Sequence, residues 1–207
     1  MSVLQMTAVI LAGGSSSRMG QNKLFLPLGA KPIIEYLISL LQKMFVQTIV
    51  VTDRPTLYHH YQIEVKEDVI VCAKKNSLAG IHAGLIHADN EYTFTVAGDM
   101  PFLQRQVVAY LCSLREGYDV VVPREGKYYQ PLCAVYRKSC LPLIERQLEE
   151  RRFRIIEFFP NVRVRAVDSA ELKRYDPDNI SFFNINTPQD YQLALQMIKR
   201  MQREGEI

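Results

Sequence analysis

The chain has 207 residues, 48% of them apolar, which is enough for one large core; its charged residues, 23%, leave a net charge of only +3. That balance excludes the domain-wide basic field of a nucleic-acid binder, so any anion site must be local. Cys72, Cys112, Cys133 and Cys140 form no CxxC pair or metal-ligand spacing, the opening MSVLQM has no signal-peptide pattern, and no apolar run approaches the roughly 18 residues that span a bilayer. The expectation is a cytoplasmic protein without nucleic acid or membrane among its partners.

In chain order, Thr7 to Leu11 reads as a first strand and Pro32 to Phe45 as a first helix, with Pro32 suited to the first helical position. Thr48 to Thr52 is a second strand, and Val69 to Cys72 a short third. Leu78 to Ala88 has helical spacing, with Ser77 as its N-cap. Tyr92 to Ala97 (strand), Gln104 to Leu114 (helix) and Asp119 to Val122 (strand) continue the alternation, which predicts a doubly wound, mostly parallel α/β sheet in three layers. Strict alternation then lapses: Pro131 to Tyr136 is strand-like, Leu141 to Glu149 helical, Val162 to Val167 a strand, and Thr187 to Gln202 a closing helix. With no repeat or linker, one domain is expected over residues 1–207. It divides into two halves, residues 1–125 and 126–207, with Gly126 to Asn184 forming a subregion beside the sheet.

About twenty residues separate the first strand from the first helix, more than a βα connection needs, and long loops of this kind are usually functional. Gly13 and Gly14 let backbone N–H groups approach an anion; Ser15, Ser16 and Ser17 add hydroxyl donors; Arg18 and Lys23 neutralise phosphate oxygens. The implied ligand is a nucleoside triphosphate. A P-loop is absent because Gly20 is followed by Gln21 and Asn22 before Lys23, and no GxGxxG fingerprint occurs. Later, Asp99 in AGDMPF directly follows a strand, at the carboxyl edge where α/β folds bind ligands. A carboxylate there suits Mg²⁺, which takes oxygen donors and bridges phosphates; Mn²⁺ can stand in.

LAGG, Ser16, Arg18-Met19-Gly20 and Lys23, together with KPIIEY, LAGIHAGL, AGDMPFL, QPLCAVY, ERRF and NINTP, resemble the nucleotidyltransferases, most closely the molybdenum cofactor guanylyltransferases of the MobA type. The resemblance implies a Rossmann-like nucleotidyltransferase fold. It also implies GTP and molybdopterin or molybdenum cofactor as substrates, with other cofactor-biosynthesis proteins and molybdoenzymes as further partners. It assigns Arg18, Lys23 and Asp99 to catalysis, with Asp99 holding the metal. Leu11, Ala12, Gly13, Gly14, Ser15, Lys23, Asp53, Asp68 and Asp99 are assigned to nucleotide binding, with Asp53 beside the guanine. Gln130, Arg151, Asn184 and Asn186 are assigned to the acceptor. Asn184 and Asn186 alternate on an extended segment and should face the same side, while Thr187 and Pro188 suit the N-cap and first turn of the last helix. Asn76-Ser77 stands where the resembled family usually has Gly-Pro.

The implied reaction is attack of the molybdopterin phosphate oxygen on the α-phosphorus of GTP, with pyrophosphate leaving. Two alternatives stand beside it: a CTP-dependent cytidylyltransferase or another nucleotidyltransferase with a similar loop, and a non-catalytic nucleotide-binding module. LAGG rather than LAAG, together with NINTP, favours guanine.

Overall fold

Hydrophobic alternation in the strands, with side chains pointing to opposite faces, dictates where the helices must lie. A computed structural model describes residues 3–13, 22–70 and 76–204. Along the chain run β1 (Leu4–Leu11), the small hairpin β2 (Pro27–Leu28) and β3 (Lys31–Pro32), α1 (Ile33–Gln42), β4 (Phe45–Val51), β5 (Glu64–Lys66), α2 (Ser77–His87), β6 (Tyr92–Ala97) and α3 (Arg105–Ser113). There follow β7 (Val120–Glu125), β8 (Tyr128–Tyr129), β9 (Cys133–Arg137), α4 (Leu141–Glu149), β10 (Val164–Asp168), α5 (Ser169–Leu172) and α6 (Pro188–Glu204).

The main sheet is ordered β10-β7-β9-β6-β1-β4-β5, with β8 added to β7. Met6, Ala8 and Ile10 of β1 and Phe94 and Val96 of β6 share a core with Leu37 of α1, Val108 of α3 and Ile198 of α6. On the opposite face Val120, Val122, Ala134 and Tyr136 pack with Ile81 of α2 and Ile144 of α4. The sheet therefore lies between two helical layers, as the sequence predicts. Among the described residues no helix is long and apolar enough to cross a membrane.

Several boundaries and one placement differ from expectation. The predicted first helix stops early, because Phe45 pairs with Leu4 and begins β4. The third strand forms at Glu64–Lys66, not at Val69 to Cys72; Val69 is exposed, and residues 71–75 lie outside the described residues. Glu-Val-Lys carries the charge of an edge strand, and so lacks the apolar run that marks a buried one. Asn76, not Ser77, caps α2, its side-chain oxygen accepting from the Ala79 N–H at 2.9 Å. The largest correction concerns residues 126–184, which are not a subregion beside the sheet. β9 lies antiparallel between β6 and β7, and β10 forms the edge beyond β7. Cys133, Ala134, Val135 and Tyr136 are all buried, so both faces of this run need covering, and only an interior position supplies that.

The layers approach closely where α2 crosses β1. A Cβ built on Gly84 would lie 2.7 Å from Cγ1 and 2.9 Å from Cγ2 of Val9, a side chain that is fully buried. Gly84→Ala is therefore expected to push α2 from the sheet and cost about 1–3 kcal/mol, as overpacking does. Thermal unfolding checks this; an unchanged melting temperature would mean the layers can separate freely.

Candidate active site

β1, β4 and β6 end level with one another, Leu11 standing opposite both Val51 and Ala97. The chain leaves β1 for α1 on one face of the sheet and β5 for α2 on the other, so a crevice opens at these carboxyl ends, the switch point of a doubly wound sheet. Hydrogen bonds tie the three exits together: Ala12 N–H donates to the Val51 carbonyl at 2.8 Å, Gly98 N–H to that of Leu11 at 2.9 Å, and the Thr52 hydroxyl to that of Ala12 at 3.2 Å. At Gly98 a Cβ would sit 3.2 Å from the Leu11 carbonyl and 3.1 Å from Leu24 Cδ1. Glycine there lets the segment carrying Asp99 run close against the end of β1.

One cavity, of about 110 Å³, is lined by Leu11, Gly13, Thr52, Asp53, Asp68 and Gly80, with Asn76 and Ser77 at the mouth of α2. A Cβ on Gly80 would lie 3.0 Å from Leu11 Cδ2, so the small residue brings α2 against the cavity wall. A second cavity, of about 290 Å³, holds Ala12, Gly13, Asn22, Lys23, Asp99, Asn184 and Asn186. Leu11, Gly13 and Ser77 line both. Nine of the residues expected at the site thus converge on two adjoining spaces: Leu11, Ala12, Gly13, Lys23, Asp53, Asp68, Asp99, Asn184 and Asn186. Gly14, Ser15 and Arg18 fall outside the described residues.

Lys23 is the hub of the larger cavity. Its ammonium donates to Asp99 Oδ2 at 2.7 Å, to the Ile185 carbonyl at 2.8 Å and to Asn186 Oδ1 at 3.0 Å. Its position is fixed locally: Lys23 opens a short 3₁₀ turn, and the Asn22 side chain caps that turn by accepting from the Leu24 N–H. Across the cavity, Ile185 N–H donates to the Asp99 carbonyl at 3.0 Å, and the Ile185 side chain is fully buried. Burying Ile185 places Asn184 and Asn186 toward the same cavity, the alternation expected of an extended segment. Asn184 Nδ2 also donates to the Phe182 carbonyl at 2.8 Å.

Asp190, which the sequence reading passed over, anchors this segment. Its carboxylate accepts from the Asn186 N–H at 3.0 Å and the Thr187 N–H at 2.8 Å, while the Thr187 hydroxyl accepts from the Asp190 N–H. The backbone bond from Asn186, the bonds from Thr187 and the nearby Lys23 charge hold the Asp190 carboxyl below its usual range. The spacing Thr-Pro-x-Asp, a capping box with aspartate in the acidic place, was the available signal. The Ile185 carbonyl had none, since backbone acceptors carry no sequence mark.

Two expected residues lie elsewhere. Gln130 joins β8 to β9 by backbone bonds to Pro123 and Cys133 and lines neither cavity. Arg151 ends α4 in a left-handed conformation, φ 55°, with its N–H donating to the Leu148 carbonyl, and also lines neither. It acts as a helix terminator, a position that more often goes to glycine or asparagine.

The buried Asp99 Oδ1 has no hydrogen-bond partner among the described residues. An orphaned carboxylate oxygen at the floor of a phosphate-sized cavity fits a hard divalent cation. No group of three or more His, Cys, Asp or Glu side chains able to hold a metal occurs among the described residues. Magnesium accommodates this, because it commonly binds through one or two carboxylates, with phosphate oxygens and waters completing its shell.

Comparison with known proteins gives the same direction. Residues 8–162 match the family described as the MobA-like NTP transferase domain. A probable molybdenum cofactor guanylyltransferase of Pelotomaculum thermopropionicum is 39% identical, the alignment covering 91% of each chain. A molybdenum cofactor guanylyltransferase of Desulfosudis oleivorans is 36% identical, over 93% of this chain and 96% of the relative. The solved structure of molybdopterin-guanine dinucleotide biosynthesis protein A from Archaeoglobus fulgidus superposes with a TM-score of 0.84 at 30% identity, covering 95% of this chain and all of that one.

Proposed function

The chain belongs to the MobA-like NTP transferase domain family, and from that premise we propose that it is a nucleotidyltransferase moving GMP from GTP to the phosphate of the molybdenum cofactor. The observation that carries this reading is the meeting of Lys23, Asp99 and Asn186 in one cavity adjoining a smaller pocket lined by aspartates.

In the reaction an acceptor phosphate oxygen bonds to the α-phosphorus of GTP, the bond from that phosphorus to the bridging oxygen breaks, and pyrophosphate departs with the electron pair. The nucleophile is already an anion, so no side chain must remove a proton. The protein's task is to gather several negative charges and align them. Gly13 admits the phosphates, since nothing among the described residues approaches within 4 Å of where its Cβ would be. Lys23 supplies positive charge at the departing group, where preorganised charge counts most. A divalent ion held by Asp99 would supply further shielding of the phosphates. Asn184 and Asn186 orient the acceptor, and Asp190 acts behind Asn186 by holding its backbone N–H.

Asp53 and Asp68 line the smaller cavity beside Gly80. A carboxylate accepts hydrogen bonds only, and guanine offers two adjacent donors, N1–H and N2–H, where cytosine offers an amino group next to an acceptor. These aspartates thus favour guanine. A cytoplasmic setting goes with this reading, since Cys112, Cys133 and Cys140 are buried free thiols.

Heat protection tests the donor. GTP with Mg²⁺ at about a hundred times its dissociation constant should stabilise the protein by about 2.7 kcal/mol. For a chain of this size that raises the melting temperature by roughly 5–10 °C. CTP should give little. Equal protection by CTP, or none by GTP, would overturn the guanine assignment.

A further inference from the structure

A third cleft, of about 620 Å³, opens between the start of α2 and residues 127–156 of the C-terminal half, and none of the residues expected at the site lines it. Its apolar walls come from Tyr128, Tyr129 and Phe153 together with Pro131, Ile155 and Ile156, and its charges are Lys127 and Arg154, with no carboxylate in the lining. Ser77 borders this cleft and both active-site cavities, so all three meet at the first residue of α2.

Three features set the cleft apart from ordinary surface. Tyr128 leaves 68% of its area exposed, although β8 is only two residues long and could carry a polar side chain there. Lys127 holds its ammonium 5.5 Å from the centre of that ring, so a cation and an exposed aromatic face already lie together. Arg146 and Arg152 are both engaged by Glu150, whereas Arg154 has no carboxylate partner among the described residues. An aromatic slot edged by uncommitted cations suits a flat heteroaromatic ring that bears an anionic group. Gly126, with φ 56° at the first central position of the turn between β7 and β8, projects Lys127 and Tyr128 as a hairpin tip.

We infer that this cleft is the ring-binding platform of the acceptor: the pterin stacks on Tyr128, Lys127 and Arg154 flank it, and the phosphate tail passes Ser77 toward Asp99. The inference rests on the proposed guanylyl transfer for the identity of the ring and goes beyond it in naming the residues. It also gives a role to Ser77, the hydroxyl residue that replaces the usual proline. Asn76 takes over the capping of α2, which leaves the Ser77 hydroxyl at the junction.

The test has two readouts. Binding of a phosphorylated pterin, followed through its own fluorescence, is measured on the wild type and on Tyr128→Ala, Tyr128→Phe and Arg154→Gln. The acceptor KM and GTP KM of transfer are measured on the same proteins. Tyr128→Ala and Arg154→Gln should each weaken pterin binding and raise the acceptor KM about tenfold, the usual effect of removing one stacking or charged contact. Tyr128→Phe should restore both, and the GTP KM and melting temperature should not move. Pterin binding that is absent from the wild type, or within twofold of it in both variants, overturns the platform. Heat protection by GTP reads the donor reaction separately, so either proposal can fail without the other. All the substitutions are at solvent-facing side chains, which keeps folding out of the comparison.

Discussion

Asp99→Asn is expected to lower guanylyl transfer by about 10²–10³-fold, the usual loss when one preorganised electrostatic contact to a developing charge is removed. Asp99 does two things at once, one with each oxygen, that an amide with a single oxygen cannot. Its Oδ2 anchors Lys23 at 2.7 Å, and its buried Oδ1 offers an unused pair of electrons to a cation. The asparagine keeps the backbone contact to Ile185, because that bond uses the main-chain carbonyl. The loss should therefore appear in turnover and in the divalent-ion concentration needed for half-maximal rate, with the fold retained. Pyrophosphate release measured against Mg²⁺ and Mn²⁺ concentration checks this. A variant with the wild-type metal dependence would remove Asp99 from the cation site.

Lys23→Ala should reduce turnover by about 10²-fold or more, on the same electrostatic grounds. Its three contacts join the loop after β1 to the carboxyl end of β6 and to the segment before α6, so the substitution also tests whether one cation holds donor and acceptor sides together. Lys23 and Asp99 retain only 20% and 17% exposure, so removing the ammonium leaves a largely buried carboxylate without its partner, and a lower melting temperature should accompany the loss of turnover. Lys23→Arg separates charge from fit: it restores the charge, but a planar guanidinium does not reproduce the ammonium's three divergent bonds. Recovery should be partial. Near-native turnover in Lys23→Ala would eliminate it as a catalytic group.

Much of this molecule was legible in its sequence where the signal was local. Thr7 to Leu11 and Tyr92 to Ala97 are short apolar runs, and both became adjacent central strands, β1 and β6. Leu78 to Ala88 has helical spacing, and α2 forms there, shifted in its cap because Asn76 accepts from the Ala79 N–H in place of Ser77. Lys23 and Asp99 stood out by residue type and by position after strands, and they meet across 76 residues of sequence. An apolar residue at a helix end has the same signature as one opening a strand, so periodicity places Phe45 in the first helix, and only its pairing with Leu4 puts it in β4. The left-handed backbone of Arg151 had no signal in residue type or motif position, because only the packing at the end of α4 imposes it.

The sequence by itself determined the three-layer α/β class, the glycines and cations of the first loop and the carboxylate after β6, because residue type and periodicity act over a few neighbouring positions. Only the tertiary structure decided that β9 runs antiparallel inside the sheet, that Ile185 presents its carbonyl to Lys23, and that Ser77 joins three cavities. Each of these depends on burial and pairing between distant segments. A backbone carbonyl or a strand direction has no residue of its own to mark it, and acquires its role only when another part of the chain packs against it.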